Sequence, residues 1–218
     1  MPESLLEPPV DLVDFASKQH RIQYLVDTFG KYVAGRTLDV GCESRHLHKM
    51  RPDLDYTGID LFGEPDVRIN LEQVDRLPFG DAEFDTVVCC DVLEHLNNLH
   101  ATFGELVRVT RKHLIISLPN CWTAARGRID SGAGSIGHYG LSAEPPGDRH
   151  KWFFSLTEGQ NFVRDIAPRS GLELLEMRVA ERPRPVVVRA LRRLRHPARE
   201  RYLNRYAHTL WAVYAKRG

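Results

Sequence analysis

Cysteine is scarce in this 218-residue chain: Cys42, Cys89, Cys90 and Cys121 are all it has, none at metal-ligand spacing and two adjacent in an apolar run. That excludes a disulfide framework or a zinc module, and suits small core residues of a reduced, cytoplasmic protein. No apolar run reaches the roughly 20 residues a membrane span needs. The start, MPESLLEPPVDLVDF, lacks the basic-then-apolar layout of a signal peptide. Repeats and low-complexity tracts are missing too. Net charge is almost missing, at +1, yet it is unevenly placed. From Arg178 to Arg205 ten arginines stand against Glu181 and Glu200, a local balance of +8, which leaves −7 on the rest. A basic tail on an acidic body suits an anionic partner, and equally a solvated face.

What the chain does have is alternation. Short apolar runs (RTLDV, DYTGID, PDVRIN, FDTVVCC, HLIISL, LELLEMRV and TLWAVYA) are separated by SRHLHKM, LHATFGELVRVTRK and LTEGQNFVRDIAPRSG, whose apolar residues recur every three or four positions. This pattern predicts a doubly wound α/β fold: a mostly parallel, seven-stranded sheet with helices on both faces. Thr157 and Gln160 suit a capping box at the start of the last of these helices, and Gly171 suits its C-terminal cap. The final two strands are expected to pair as an antiparallel edge. One domain accounts for the length: N-terminal cap or lid helices over 1–34, a core over 35–119, an aperiodic insertion over 120–154, and C-terminal helices and edge strands over 155–218. An insertion this long is expected to bind something.

Glycine is short where it would matter most. In LDVGCESRHL, Leu38 to Leu47, the first strand runs into a turn that keeps Gly41 but has Glu43 and Arg45 where a nucleotide loop usually has two more glycines. Asp60, 19 residues after Gly41, ends the second strand where an acid takes ribose hydroxyls. Glu43 would repel the pyrophosphate of NAD. It tolerates a ligand bearing a sulfonium and an ammonium group, which points to S-adenosylmethionine. Arg45 is then a candidate for the ligand's carboxylate, or simply points to water.

The segment from Arg36 to Asn120, about 40% of the chain, resembles the core of class I S-adenosylmethionine-dependent methyltransferases of the small-molecule type. The resemblance rests on LDVGCES, on GID, and above all on INLEQVDRLPFGDAEFDTVVCCDVLEHL with the later ISLPN. It implies a Rossmann-like methyltransferase fold in which Asp39 and the Gly41 backbone face the methionine portion. It further implies that Asp60 holds the ribose, Leu61 packs on adenine, Asn70 and Leu71 lie near the adenine amino group, and Asp91 borders the transferred methyl. The competing reading makes Asp39 a strand-end helix cap, Asp60 a turn former, and Leu61 and Leu71 plain core residues.

An alcohol acceptor needs its proton removed, a task for a neutral histidine. His150, in DRHKWFFSLTEG, matches the position of a histidine in many methyltransferases of this type and is the expected general base, with His138 second. The competing reading makes either histidine a hydrogen-bonded tie of the insertion. Asp91, Glu94 and His95, completed by His138 or His150, offer a divalent-cation site such as one for Mg2+. In the metal-free reading Glu94 and His95 only begin a helix. Tyr139, Trp152, Arg126, Arg128, Asp148 and Arg149 suit a sugar, oligosaccharide or other hydroxylated small molecule, and the layout resembles bacterial glycan and natural-product O-methyltransferases.

The arginine-rich segment leaves three openings: a membrane surface with a quinone or lipid acceptor, RNA phosphates, or packing on the body or on a second subunit, so that monomer and homodimer both stand. CCDVLEHL does not resemble the motif of base-amino methyltransferases, which argues against DNA. A non-catalytic S-adenosylmethionine-binding module and an NAD-linked oxidoreductase are the rival classes. In the N-terminal segment Phe15, His20 and Tyr24 are candidates for a lid over the cofactor.

Overall fold

A computed structural model describes residues 2–141, 143, 144 and 148–217. The elements run α1 (Glu3–Leu6), β1 (Val10–Leu12), α2 (Lys18–Phe29), β2 (Arg36–Val40), α3 (His46–Met50), β3 (Asp55–Asp60), β4 (Val67–Arg68), β5 (Phe84–Cys90), α4 (Leu99–Val109), β6 (Thr110–Pro119), α5 (Cys121–Asp130), α6 (Leu156–Arg169), β7 (Leu172–Glu181), α7 (Val186–Arg195), α8 (Arg199–Tyr206) and β8 (Ala207–Lys216). The strands form one sheet in the order β1-β7-β8-β6-β5-β2-β3-β4. Every pairing is parallel except those of β8 with β6 and with β7. The seven expected strands are all there, with β1 added as an eighth.

Strand alternation divides the core. Val87 and Cys89 of β5, Leu114 and Ile116 of β6, and Leu210 and Tyr214 of β8 pack on one face beneath α4 and α6. Val88, Ile115, Trp211 and Val213, the intervening residues, pack on the other with Leu25 and Phe29 of α2. Successive side chains leave opposite faces of a strand, so near-continuous apolar runs are what a sheet covered on both sides requires.

Four expectations need correction. The last two strands do pair antiparallel, but not as an edge: β8 inserts between β6 and β7, and β1 covers the outer side of β7. The first 34 residues are therefore not helices alone; Asp11 on β1 receives both Arg178 Nε (2.7 Å) and Nη2 (2.6 Å). The insertion is not aperiodic throughout, because α5 occupies its start. The capping box of α6 belongs to Ser155 and Glu158, two residues before the expected pair, where the Glu158 N–H donates to Ser155 Oγ and the Ser155 N–H donates back to the Glu158 carboxylate. Gly171, at φ +66°, follows the end of that helix as expected.

The sheet order reverses at β2, which pairs with β3 on one side and β5 on the other. Such a switch point opens a crevice outside the carboxyl ends of the strands, and Gly41, Asp60 and Asp91 follow or end those strands.

Candidate active site

The turn after β2 keeps a glycine loop's backbone without its glycines. Glu43 and Arg45 adopt φ of +41° and +56°, the left-handed region that glycine favours. Gly41 itself, at φ +79°, has no room for a side chain, since a Cβ there would lie 2.4 Å from Val92 Cγ2. Asp60 holds the turn from below: its Oδ2 accepts the Glu43 N–H at 2.8 Å and its Oδ1 the Phe62 N–H at 3.0 Å. Each oxygen keeps a lone pair for a further donor. Arg45 does not simply point to water: it pairs with Asp66 at 2.9 Å and lies over the Tyr56 ring.

Asp39 is buried on β2 and accepts the Tyr56 hydroxyl at 2.9 Å. Burial pushes its carboxyl up to about 6, with the Asp60 charge adding to the rise and the tyrosine opposing it. Asp91 stands at φ +50°, accepts the Ser117 hydroxyl at 2.5 Å and pairs with Arg21 at 2.7 Å. Lys18 pairs with Glu43 at 2.9 Å. Lys18, Arg21 and Ile22 of α2 thus close the crevice lined by Asp39, Gly41, Cys42 and Cys90. Of the expected lid residues, Phe15 and Tyr24 pack on Trp211 instead, and His20 is exposed. Sequence reasoning missed Lys18 and Arg21. Their signal was two cations three apart, next to the apolar Ile22 and Leu25.

The adenine-side residues divide. Leu61 is exposed beside Asp60, with the still more exposed Phe62 after it. Asn70 closes a local turn, accepting the Glu72 N–H at 3.0 Å, and Leu71 packs against the core.

Beyond Asp91 a second cluster forms. The Lys151 N–H donates to Glu94 O (2.8 Å) and Trp152 Nε1–H to Leu96 O (2.8 Å), which pins the end of the insertion to the turn after β5. His150 consequently lies edge-on to His95, ring centroids 4.5 Å apart, and stacks on His138 at 4.4 Å. Asp148 bridges His95 Nδ1 (3.0 Å) and His138 Nδ1 (3.3 Å), while the Tyr139 hydroxyl lies 2.7 Å from His150 Nδ1. When Nδ1–H donates to that oxygen, Nε2 keeps a free lone pair. Burial, then the neighbouring histidines, push His150 down to about 4, so it is neutral at physiological pH. Burial, reinforced by the Asp91 charge, holds Glu94 well above the usual carboxylate range. Glu94 Oε2 is buried with no hydrogen-bond partner among the described residues.

One atom each of Glu94, His95 and His150 lie within 4.8 Å of one another, a spacing that suits a metal ion. Of the two histidines offered to complete the site His150 is in that set and His138 is not, and Asp91 falls outside it. Two imidazoles and one carboxylate also suit a softer ion than Mg2+. Arg128 turns to the Ser135 carbonyl at 3.1 Å, away from the cluster. Arg126 lines a groove with Trp122, Ile129 and Phe153, and the Phe153 ring meets Tyr139 at 4.9 Å.

The family described as Methyltransferase domain matches residues 38–116. No curated protein matches the sequence. Among solved structures, the methyltransferase domain of bacterial CtHen1-C is 17% identical over 92% of this chain and 99% of its own, with a TM-score of 0.58. Magnesium protoporphyrin IX methyltransferase from Synechocystis PCC 6803, solved with SAH bound, is 18% identical over 95% and 90%, at 0.51. The (4+2)-cyclase SpnF is 14% identical over 98% and 90%, at 0.56. At these identities the likeness shows the fold, which hosts more than one reaction. Residues 38–116 thus match a methyltransferase domain, and the chain around them has a Rossmann-like methyltransferase fold.

Proposed function

We propose that this methyltransferase transfers a methyl group from S-adenosylmethionine to a hydroxyl of a sugar or other polar small molecule, with His150 as general base. The observation that carries the acceptor reading is the neutral His150, held by Tyr139 in a polar and aromatic cluster close enough to Asp91 to feel its charge.

The crevice suits the cofactor in its chemistry. Asp39 lines it, Glu43 and Asp91 draw in its lining cations Lys18 and Arg21, and Asp60 holds the adjoining turn, so its surroundings are acidic. As it stands it encloses only about 20 Å³, so Lys18 and Arg21 must swing aside to admit a nucleoside. Asp60 would then hold the ribose hydroxyls, Asp91 the ammonium, and the freed Arg21 the carboxylate. The bound cofactor supplies a methyl group on a sulfonium. The protein's task is to hold the acceptor oxygen in line with it, to exclude water and to take the proton at His150 Nε2.

A second reading of the cluster is favoured by the unpartnered Glu94 Oε2. In it Glu94, His95 and His150 hold a divalent ion that supplies a Lewis acid to lower the acceptor's pKa, and His150 is a ligand rather than a base. Chelation separates the two, since only the second loses activity in EDTA.

The test is calorimetric titration with S-adenosylmethionine, S-adenosylhomocysteine and NAD, followed by transfer of labelled methyl to a panel of glycosides. Micromolar binding of both adenosyl ligands, lost in Asp60→Ala, with label on a sugar oxygen, supports the proposal. Preference for NAD, or cofactor binding without transfer to any hydroxyl, overturns it.

A further inference from the structure

Helix α7 is amphipathic, and it is mounted the wrong way round for a soluble protein. Val187, Leu191 and Leu194 share one side of the helix, with Val186 and Ala190 beside them. That side faces solvent: Val187 is 70% exposed, Leu191 61% and Leu194 78%. The opposite side, Arg189, Arg192 and His196, is the less exposed one. Arg192 lies over the Tyr206 ring at 4.3 Å and 3.9 Å from the buried Glu181, and Arg189 Nε is buried. Arg193, near the boundary of the two sides, lies over the Tyr202 ring at 5.0 Å. An ordinary surface helix buries its apolar stripe and shows its charges. Here arginine stems and cation–π contacts hold the helix to the body, and the aliphatic side is left uncovered.

We propose that α7 is a membrane-interface helix whose outward Val187–Leu191–Leu194 face enters the headgroup region of an anionic bilayer. Charge selects this occupant. The segment from Arg178 to Arg205 carries a balance of +8; Arg178, Arg182, Arg199 and Arg205 pair with Asp11, Asp14, Glu7 and Asp130, which leaves the exposed Arg184, Arg193, Arg195 and Arg201 to bring like charge against like in a second copy. A nucleic acid would use the arginines but leave the aliphatic face wet. An anionic lipid surface matches both at once: aliphatic side chains enter the acyl boundary while flanking arginines, Arg184 and Arg195 among them, reach the phosphates. The placement suits an enzyme with a lipid-borne acceptor. β7 runs parallel to β6, so α7 follows it at the same edge of the sheet as Gly41 and Asp91. His196, which ends α7, lines the groove of about 440 Å³ with Trp122, Arg126, Ile129 and Phe153.

The test is co-sedimentation of the full chain with vesicles of pure phosphatidylcholine and of phosphatidylcholine with 30% phosphatidylglycerol, for wild type, Val187→Glu/Leu191→Glu and Arg184→Glu/Arg195→Glu. Both double variants alter exposed side chains, and their circular dichroism is expected to match wild type. The expected result is binding to the anionic vesicles only, reduced at least tenfold in each variant, with S-adenosylmethionine affinity unchanged. Absence of binding to anionic vesicles overturns the proposal. So does binding that survives Val187→Glu/Leu191→Glu, which would mark plain electrostatic adsorption. A concentration-dependent dimer by light scattering, abolished by that same variant in the absence of lipid, would show that a second copy covers the face and would equally overturn it. Loss of cofactor binding in wild type would instead remove the methyltransferase reading and leave this result standing.

Discussion

The Arg21 guanidinium lies 2.7 Å from the Asp91 carboxylate, closing the crevice at the switch point of the sheet with one long side chain. Only about a fifth of each side chain is exposed, and Arg21 Nε has no partner of its own. An arginine with a spare donor beside a cofactor crevice is placed to receive a carboxylate. Arg21→Ala is therefore expected to weaken S-adenosylmethionine and S-adenosylhomocysteine alike, by roughly tenfold or about 1.4 kcal/mol, because both carry that carboxylate. Tighter binding in the variant would show that Arg21 is only a plug.

Glu43 carries a left-handed backbone that costs a non-glycine residue about 1 kcal/mol. Its side chain returns little, since the ion pair with Lys18 is about half exposed on both sides. Glu43→Gly should accordingly raise the unfolding free energy by about 1 kcal/mol in urea titrations. The same change removes negative charge from the cofactor wall. S-adenosylmethionine, which carries the sulfonium, should lose more affinity than S-adenosylhomocysteine, which does not.

Asp39 gives a pH-dependent counterpart. Its folded pKa, about 6, is above the ordinary carboxylate value, so the folded chain binds the proton more tightly than the unfolded one. Stability is therefore lost as pH rises from the unfolded pKa through 6, and the loss is complete above that. Asp39→Asn keeps an acceptor for Tyr56 but not the charge. It should stabilise the ligand-free protein by up to about 3 kcal/mol at pH 8 and by clearly less at pH 5. An equal effect at the two values would show that the carboxylate is not strained by burial.

These residues show how far the sequence could be read. Alternating apolar runs announced a two-sided sheet because burial on both faces demands them; GID placed Asp60, and the long run to DVLEHL placed Asp91, at strand ends. Strand β1 escaped because three residues, VDL, are too short to carry a period. Helix α5 escaped because Gly127 and two arginines blur its pattern. Glu43 and Arg45 looked like departures from a glycine loop, yet the backbone there is a glycine loop's. Side-chain identity is in the sequence, but the φ imposed by Asp60 and the flanking strands is tertiary. Lys18 and Arg21 depend on how α2 lies across the crevice, which no local pattern encodes.

His150 acts as a base only while neutral, and its pKa near 4 keeps it so throughout the physiological range. The rate should therefore show no acid limb near the ordinary histidine value, only a fall on approach to pH 4. His150→Ala should lower kcat by about 10²- to 10⁴-fold with cofactor affinity unchanged. Tyr139→Phe should cost about tenfold, because it removes the partner that orients the ring at 2.7 Å. His138→Ala, which removes the stacked neighbour and its contact with Asp148 but no hydrogen bond to His150, should cost less.

Glu94 decides between the two readings of the cluster. Its carboxyl is buried and held neutral by desolvation and by Asp91, so glutamine mimics its resting state closely. Glu94→Gln should then leave the unfolding free energy at pH 7 within about 1 kcal/mol of wild type. As a metal ligand, however, Glu94 must give up its proton. Ion binding should in that case release close to one proton, grow tighter as pH rises, and vanish in Glu94→Gln. Titration of Mn2+ or Zn2+ in two buffers of different ionisation enthalpy measures the proton directly. Release of a proton together with loss of binding in the variant assigns His150 as a ligand. No ion binding by wild type, with activity that survives EDTA, assigns it as the base and leaves Glu94 a buried carboxyl whose environment favours its protonated form.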